Sequence, residues 1–143
     1  MPECLQKVES PADTLSQARQ RLLSDFVKGK VTYTFQEDYT EIIDQYFRKS
    51  LQESYTGPRL FKEKIPFAFV AVGGYGRKEL CIHSDIDVIL LFDRRIPAEA
   101  NSLIREALFP LWDLGLDVGH GTRTIKDCIS LSKKDFQVLT SLL

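Results

Sequence analysis

Through the first third of the chain, hydrophobic positions recur every three or four residues; beyond it they condense into short unbroken runs. Ser10-Pro11-Ala12-Asp13 has the form of a helix start, with a serine cap, proline at the first helical position and an acid three residues in. Leu15, Ala18, Leu22 and Phe26 then repeat at helical spacing, and Gly29 supplies a stop. A β-prone link, VTYTF, leads to a second stripe made by Tyr39, Ile42, Ile43, Tyr46, Phe47 and Leu51. Thr56-Gly57-Pro58 reads as a turn that closes this helical segment, residues 1–58.

In residues 59–143 the period changes. FAFVAV, bounded by Pro66 and Gly73, and IDVILLF, residues 86–92, are continuous apolar runs of strand length and predict strands buried on both faces. Between them stands GGYGRKELCIHSDID, for which the pattern predicts a short helix over residues 76–80. A helix is expected from Pro97 to Gly115, with Leu103, Ile104, Ala107, Leu108, Leu111 and Trp112 turned to the core. LDVGHGTRT predicts a third strand, its glycines marking a bulge or a close backbone approach. Thr124 to Asp127 and Ser132 to Asp135 each resemble a capping box and predict two short helices. The sum is an α+β fold: a helical N-terminal segment, then a small mixed sheet with covering helices. The apolar ending LTSLL, without cap or polar tail, reads as the end of a fragment of a longer protein.

Composition narrows the function classes. A net charge of −1 argues against bulk electrostatic capture of nucleic acid or of an anionic membrane. The apolar runs are too short to span a bilayer, and the N-terminus lacks the basic-then-apolar form of a secretion signal. Cys4, Cys81 and Cys128 are sparse and unpatterned, which fits a reducing, cytoplasmic setting; Cys81 reads as a small buried hydrophobe. Two histidines, His83 and His120, are too few for a zinc cluster, and each reads as structural or exposed.

The chemistry concentrates in the glycine-rich stretch. Asp85 and Asp87 flank Ile86 at the entry to a strand, so both side chains point to one side of the sheet. Two crowded carboxylates repel unless cations neutralise them, and Mg2+ binds through one or two carboxylates plus substrate phosphates. Gly73 and Gly74 end the preceding strand, where residues without Cβ let backbone N–H groups approach a phosphate. Arg77 is placed to pair with a phosphate oxygen, and Ser84 to cap the strand entry or donate to a phosphate. Plain structural readings compete: most glycine turns are only turns, SDID alone is an ordinary cap and strand end, and Arg77 and Glu79 suit a solvated surface. The joint spacing of strand, Gly-Gly, acid-x-acid and strand favours the transfer of a nucleotide between oxygen nucleophiles.

VAVGGYGRKELCIHSDIDVILLF resembles the signature of the DNA polymerase beta-like nucleotidyltransferase superfamily. Together with LFPLWDLGLDVGHGTRT it is similar, over about residues 67–129, to the N-terminal domain of bacterial uridylyltransferases of the PII signalling protein. That resemblance implies a nucleotidyltransferase-like fold, UTP or another nucleoside triphosphate as donor, Mg2+ as cofactor and a tyrosine of a PII-type protein as acceptor. It implies that Gly73 and Gly74 hold the triphosphate while Asp85 and Asp87 bind metal. The superfamily uses a third carboxylate from a later strand, and Asp117 is the acid available on the third strand here. The usual proline before the SD pair is replaced by Cys81-Ile82-His83. Two rival readings remain beside the transferase: a degenerate domain that binds nucleotide and regulates a neighbour, and nucleotidyl transfer to a small molecule.

Overall fold

A computed structural model describes residues 8–142, so Cys4, most of the sequence ahead of Ser10 and the last residue of LTSLL lie outside the described part. The α+β class holds: seven helices and a three-stranded mixed sheet are present among the described residues. Helix α1 (Pro11–Val27) starts as its sequence dictates. Ser10 Oγ accepts from the Asp13 N–H at 3.1 Å, and the Asp13 carboxylate accepts from the Ser10 N–H at 3.2 Å, which satisfies two donors that the first turn leaves free. Gly29, at φ +71, follows its end. VTYTF forms no strand, because Phe35 already belongs to α2 (Phe35–Glu53) and packs against Phe26 in a tilted ring contact with centroids 4.8 Å apart.

Thr56-Gly57-Pro58 is not a closing turn but the first turn of α3 (Thr56–Lys62), where proline costs nothing because its missing N–H would have no helical partner. The Glu106 carboxylate caps this turn, accepting from the Tyr55 N–H at 2.8 Å, the Thr56 N–H at 3.2 Å and the Thr56 hydroxyl. The 58/59 division thus falls inside a helix. One apolar core joins Leu15, Tyr39, Ile43 and Phe47 of the helical segment to Val88, Leu90, Leu103 and Leu108 beyond it.

Strand β1 (Phe67–Ala71) runs antiparallel to β2 (Ile86–Phe92), with Phe69 opposite Leu90. β2 in turn runs parallel to β3 (Val118–Thr124), with Asp87 opposite Gly119. β2 is central and buried as its composition predicts. β1 is not buried on both faces: it is an edge strand, and Ala68 is exposed on the face opposite Phe67 and Phe69. The β2–β3 register is continuous, so the β3 glycines mark a close approach rather than a bulge.

Helix α4 (Gly73–Gly76) precedes the predicted 76–80 position, because Gly73 turns the chain at once at φ +58 and Lys78, at φ 58, leaves helical geometry. Helix α5 (Ala100–Asp113) begins three residues after Pro97 and buries Leu103, Ile104, Ala107, Leu108 and Leu111. Trp112 is not core: it is 36% exposed, in tilted ring contact with Phe109 and His120. The Thr124–Asp127 capping box opens α6 (Ile125–Lys134). Ser132 is no cap, since its hydroxyl donates to the Ile129 carbonyl within α6; Asp135 takes that part instead, accepting from the Gln137 N–H ahead of α7 (Phe136–Leu142). No helix among the described residues is long and apolar enough to cross a membrane.

Candidate active site

The candidate site forms where the C-terminal end of β1, the N-terminal end of β2 and the start of β3 meet. Two backbone bonds extend the ladders to this edge: the Val72 N–H donates to the Asp87 carbonyl at 3.0 Å, and the Ile86 N–H to the Asp117 carbonyl at 2.9 Å. Side chains alternate across the pleat, so Ile86, Val88 and Leu90 enter the core while Asp87 faces outward beside Gly119.

Asp87 occupies a slot between two glycines. A Cβ on Gly73 would lie 3.3 Å from Asp87 Oδ2, and a Cβ on Gly119 would collide with Asp87 Oδ1. Any side chain at position 119 therefore displaces the carboxylate. Gly73 has a second requirement, its positive φ, which swings the chain from β1 across the acid. A Cβ at Gly74 would meet nothing within 4 Å, so that glycine borders open space.

Half-burial holds the Asp87 carboxyl above the usual carboxylate range, and the negative charge of Asp85 pushes it the same way. Neither carboxylate enters a salt bridge or accepts a hydrogen bond among the described residues. Two adjacent carboxylates with free oxygens, one of them partly desolvated, form a hard-oxygen donor set that is unfavourable without a cation.

The helical segment holds this edge in place. Tyr75, on the glycine turn, donates its buried hydroxyl to Asp44 Oδ1 of α2 at 2.7 Å; burial, then the hydrogen bond to Asp44, raises its phenol far above the ordinary value. Arg19 of α1 stacks over Tyr39 and donates to the Ile82 carbonyl at 3.4 Å, in the loop that precedes the acids. Gln36 of α2 reaches Cys81 Sγ at 3.5 Å in the same loop, and Cys81 is exposed rather than buried.

The remaining candidates fall elsewhere. Arg77 pairs with Glu79 at 2.9 Å on the surface, two side chains about half exposed, rather than reaching toward the glycine turn. Ser84 Oγ accepts from the Cys81 N–H at 2.9 Å and so closes the loop before the strand; its own proton stays available to a ligand. Asp117 is exposed one residue ahead of β3, and no three His, Cys, Asp or Glu side chains gather as a metal cluster among the described residues. Asp117 therefore does not complete a three-acid set with Asp85 and Asp87. His83 is exposed, and His120 is exposed beside Trp112 with ring centroids 5.7 Å apart.

Sequence reading passed over Arg123 and Ser141, which line the same cavity of about 380 Å³ as Asp87 and Gly119. For Arg123 the signal was present, since it lies four residues after Gly119 and so on the same face of β3. For Ser141 there was none, because α7 reaches the cavity only by folding back beside the glycine turn.

The family model described as "Putative nucleotidyltransferase DUF294" matches residues 17–112, which include the glycine turn and both acids. Three bifunctional uridylyltransferase/uridylyl-removing enzymes are similar to this chain. That of Ruegeria pomeroyi is 49% identical over 53% of the chain and 8% of its own length. That of Phenylobacterium zucineum is 43% identical over 62% and 10%, and that of Chromobacterium violaceum 31% identical over 91% and 14%. The chain thus spans between 8% and 14% of the length of these relatives. No solved structure matches. On the family match, which covers more than half of its residues, the chain belongs to the DUF294 nucleotidyltransferase family.

Proposed function

We propose that this domain transfers UMP from UTP to a tyrosine hydroxyl of a PII-type signalling protein, with Mg2+ held by Asp85 and Asp87. The observation that carries the reading is the Asp87 carboxylate, unpaired among the described residues, beside Asp85 and seated between Gly73 and Gly119. The names of the similar enzymes favour uridylyl transfer, and the resemblance of the glycine and acid motifs to PII uridylyltransferases favours that acceptor. The sparse cysteines fit a cytoplasmic setting.

In the reaction, the tyrosine oxygen bonds to the α-phosphorus of UTP as the bond from that phosphorus to the bridging oxygen breaks. The bridging electron pair leaves with pyrophosphate, and the hydroxyl proton passes to solvent. Bound magnesium would supply charge neutralisation for the phosphates and the leaving group. Asp85 and Asp87 do not attack phosphorus; they fix where positive charge sits, from a strand that cannot shift without breaking the sheet. Gly73 and Gly74 keep the approach to Asp87 clear of side chains, and the Tyr75–Asp44 bond holds their turn at that distance.

The test is transfer of labelled UMP from UTP to a purified PII-type protein, with and without magnesium. Transfer that disappears on chelation, and in Asp85→Asn and Asp87→Asn, is the expected result. Magnesium-dependent UTP binding with no transfer would favour the regulatory reading, and labelling of a small acceptor instead would move the substrate class.

A further inference from the structure

We infer that Arg123 is a phosphate-binding residue of this site, receiving the terminal phosphates of the nucleotide and the pyrophosphate that leaves; the inference rests on the nucleotidyl-transfer reading above. Arg123 Nε is buried and has no hydrogen-bond partner among the described residues. Nor does its guanidinium form an ion pair there. A buried donor without an acceptor is costly, and costlier when it belongs to a cation. Asp127 feels the charge of Arg123, but its carboxylate is already engaged in capping α6 through Thr124.

The position of Arg123 says which anion would satisfy it. Asp87, Gly119, Arg123 and Ser141 line one cavity, and Ser141 donates its own proton to the Val138 carbonyl. The guanidinium lies back over Gly121, with Nε 3.5 Å from where a Cβ would stand. Gly121 is two residues, about 7 Å along a strand, from Gly119 and the Asp87 carboxylate. Along β3 the outward face between acid and guanidinium offers only Gly119 and Gly121, and Ile89 of β2, opposite Gly121, forms the apolar flank of this floor. An anion running along this floor would meet, at one end, the cations that Asp85 and Asp87 would hold and, at the other, a planar fork of donors. A phosphate chain matches both ends, and a guanidinium binds phosphate oxygens in pairs.

Calorimetric titration of the whole chain with UTP, magnesium pyrophosphate and uridine tests this. Arg123→Gln is expected to weaken UTP and pyrophosphate about 10- to 100-fold and to leave uridine unchanged, with Arg123→Lys intermediate because it keeps the charge but loses the fork. Wild-type pyrophosphate affinity in Arg123→Gln would overturn the role of Arg123 and leave the transfer reading standing. Wild-type protein that binds neither UTP nor pyrophosphate would overturn both. Should Arg123→Gln fail to fold, the Nε–H resonance of wild-type Arg123, identified by its loss in Arg123→Lys, gives the answer. It shifts on adding magnesium pyrophosphate if the inference holds, and an unmoved signal overturns it.

Discussion

The Asp87 carboxylate rests so close to the Cα of Gly119 that the missing side chain of one residue sets the position of the other. The contact crosses from β2 to β3, whose parallel register places these two residues opposite each other. Gly119→Ala should therefore act on activity rather than on folding. The alanine methyl meets the free end of a side chain that can swing aside, not backbone, so the fold survives. A displaced metal-binding oxygen should slow transfer about 100-fold, the scale of an ångström's misplacement. Matched thermal melts and transfer assays check it; a variant that transfers at the wild-type rate would detach Gly119 from the site.

Asp87→Asn should abolish transfer and stabilise the metal-free protein. Burial, then the charge of Asp85, raises the Asp87 carboxyl above its unfolded value, so the folded state holds the proton more tightly than the unfolded chain. The stability linked to that proton is fully present below about pH 4 and is lost as pH rises through the raised value. At neutral pH the ionised group costs stability that asparagine would not. Metal-free melts should show the variant above wild type at pH 7, with the gap closing toward acid pH. Magnesium should then raise the wild-type melting temperature and leave the variant's unchanged.

Tyr75→Phe removes the hydroxyl that ties the glycine turn to Asp44 and leaves that acceptor unpartnered from this side. A loss of about 1–2 kcal/mol in stability is expected. The tied element borders Asp87, so transfer should fall more than urea unfolding alone accounts for. Equal activity per folded molecule would show that the turn holds its place without this bond.

The hydroxyl of Tyr46 donates to the Ala107 carbonyl at 2.6 Å, and burial pushes its phenol up to about 12. Its contribution is complete below pH 10 and lost as pH rises through the folded value. Tyr46→Phe should cost about 1 kcal/mol at pH 7, and the difference from wild type should shrink between pH 10 and 12. Neither Tyr46 nor Ala107 lines the cavity that holds Asp87, so UTP binding should not change.

Glu106→Ala removes the carboxylate that accepts from the first N–H groups of α3. Stability should fall by about 1–2 kcal/mol, as for a lost helix cap. Nucleotide affinity of the folded fraction should stay at the wild-type value, measured by calorimetry on the same samples.

What lay within a few residues along the chain was legible before folding. Ser10, Pro11 and Asp13 close a capping box by themselves, as do Thr124 and Asp127, because both partners of each bond are three residues apart. The apolar run of β2 and the pleat that turns Asp85 and Asp87 to one side also follow from local periodicity. Tertiary placement decided the rest. β1 looks like β2 in composition, yet it is half exposed, because strand order left it at an edge. Arg77 found a surface partner in Glu79, and Trp112 lost its place in the core to the aliphatic residues of α5. The slot around Asp87 requires Gly119 to stand directly opposite, and a one-residue slip of β3 would put His120 there with its ring in the way. Register is a property of two strands together, so no single stretch of sequence contains it. The same holds for the Arg123 guanidinium, whose Nε is left without a partner among the described residues while Asp127 caps α6 and Ser141 bonds within α7.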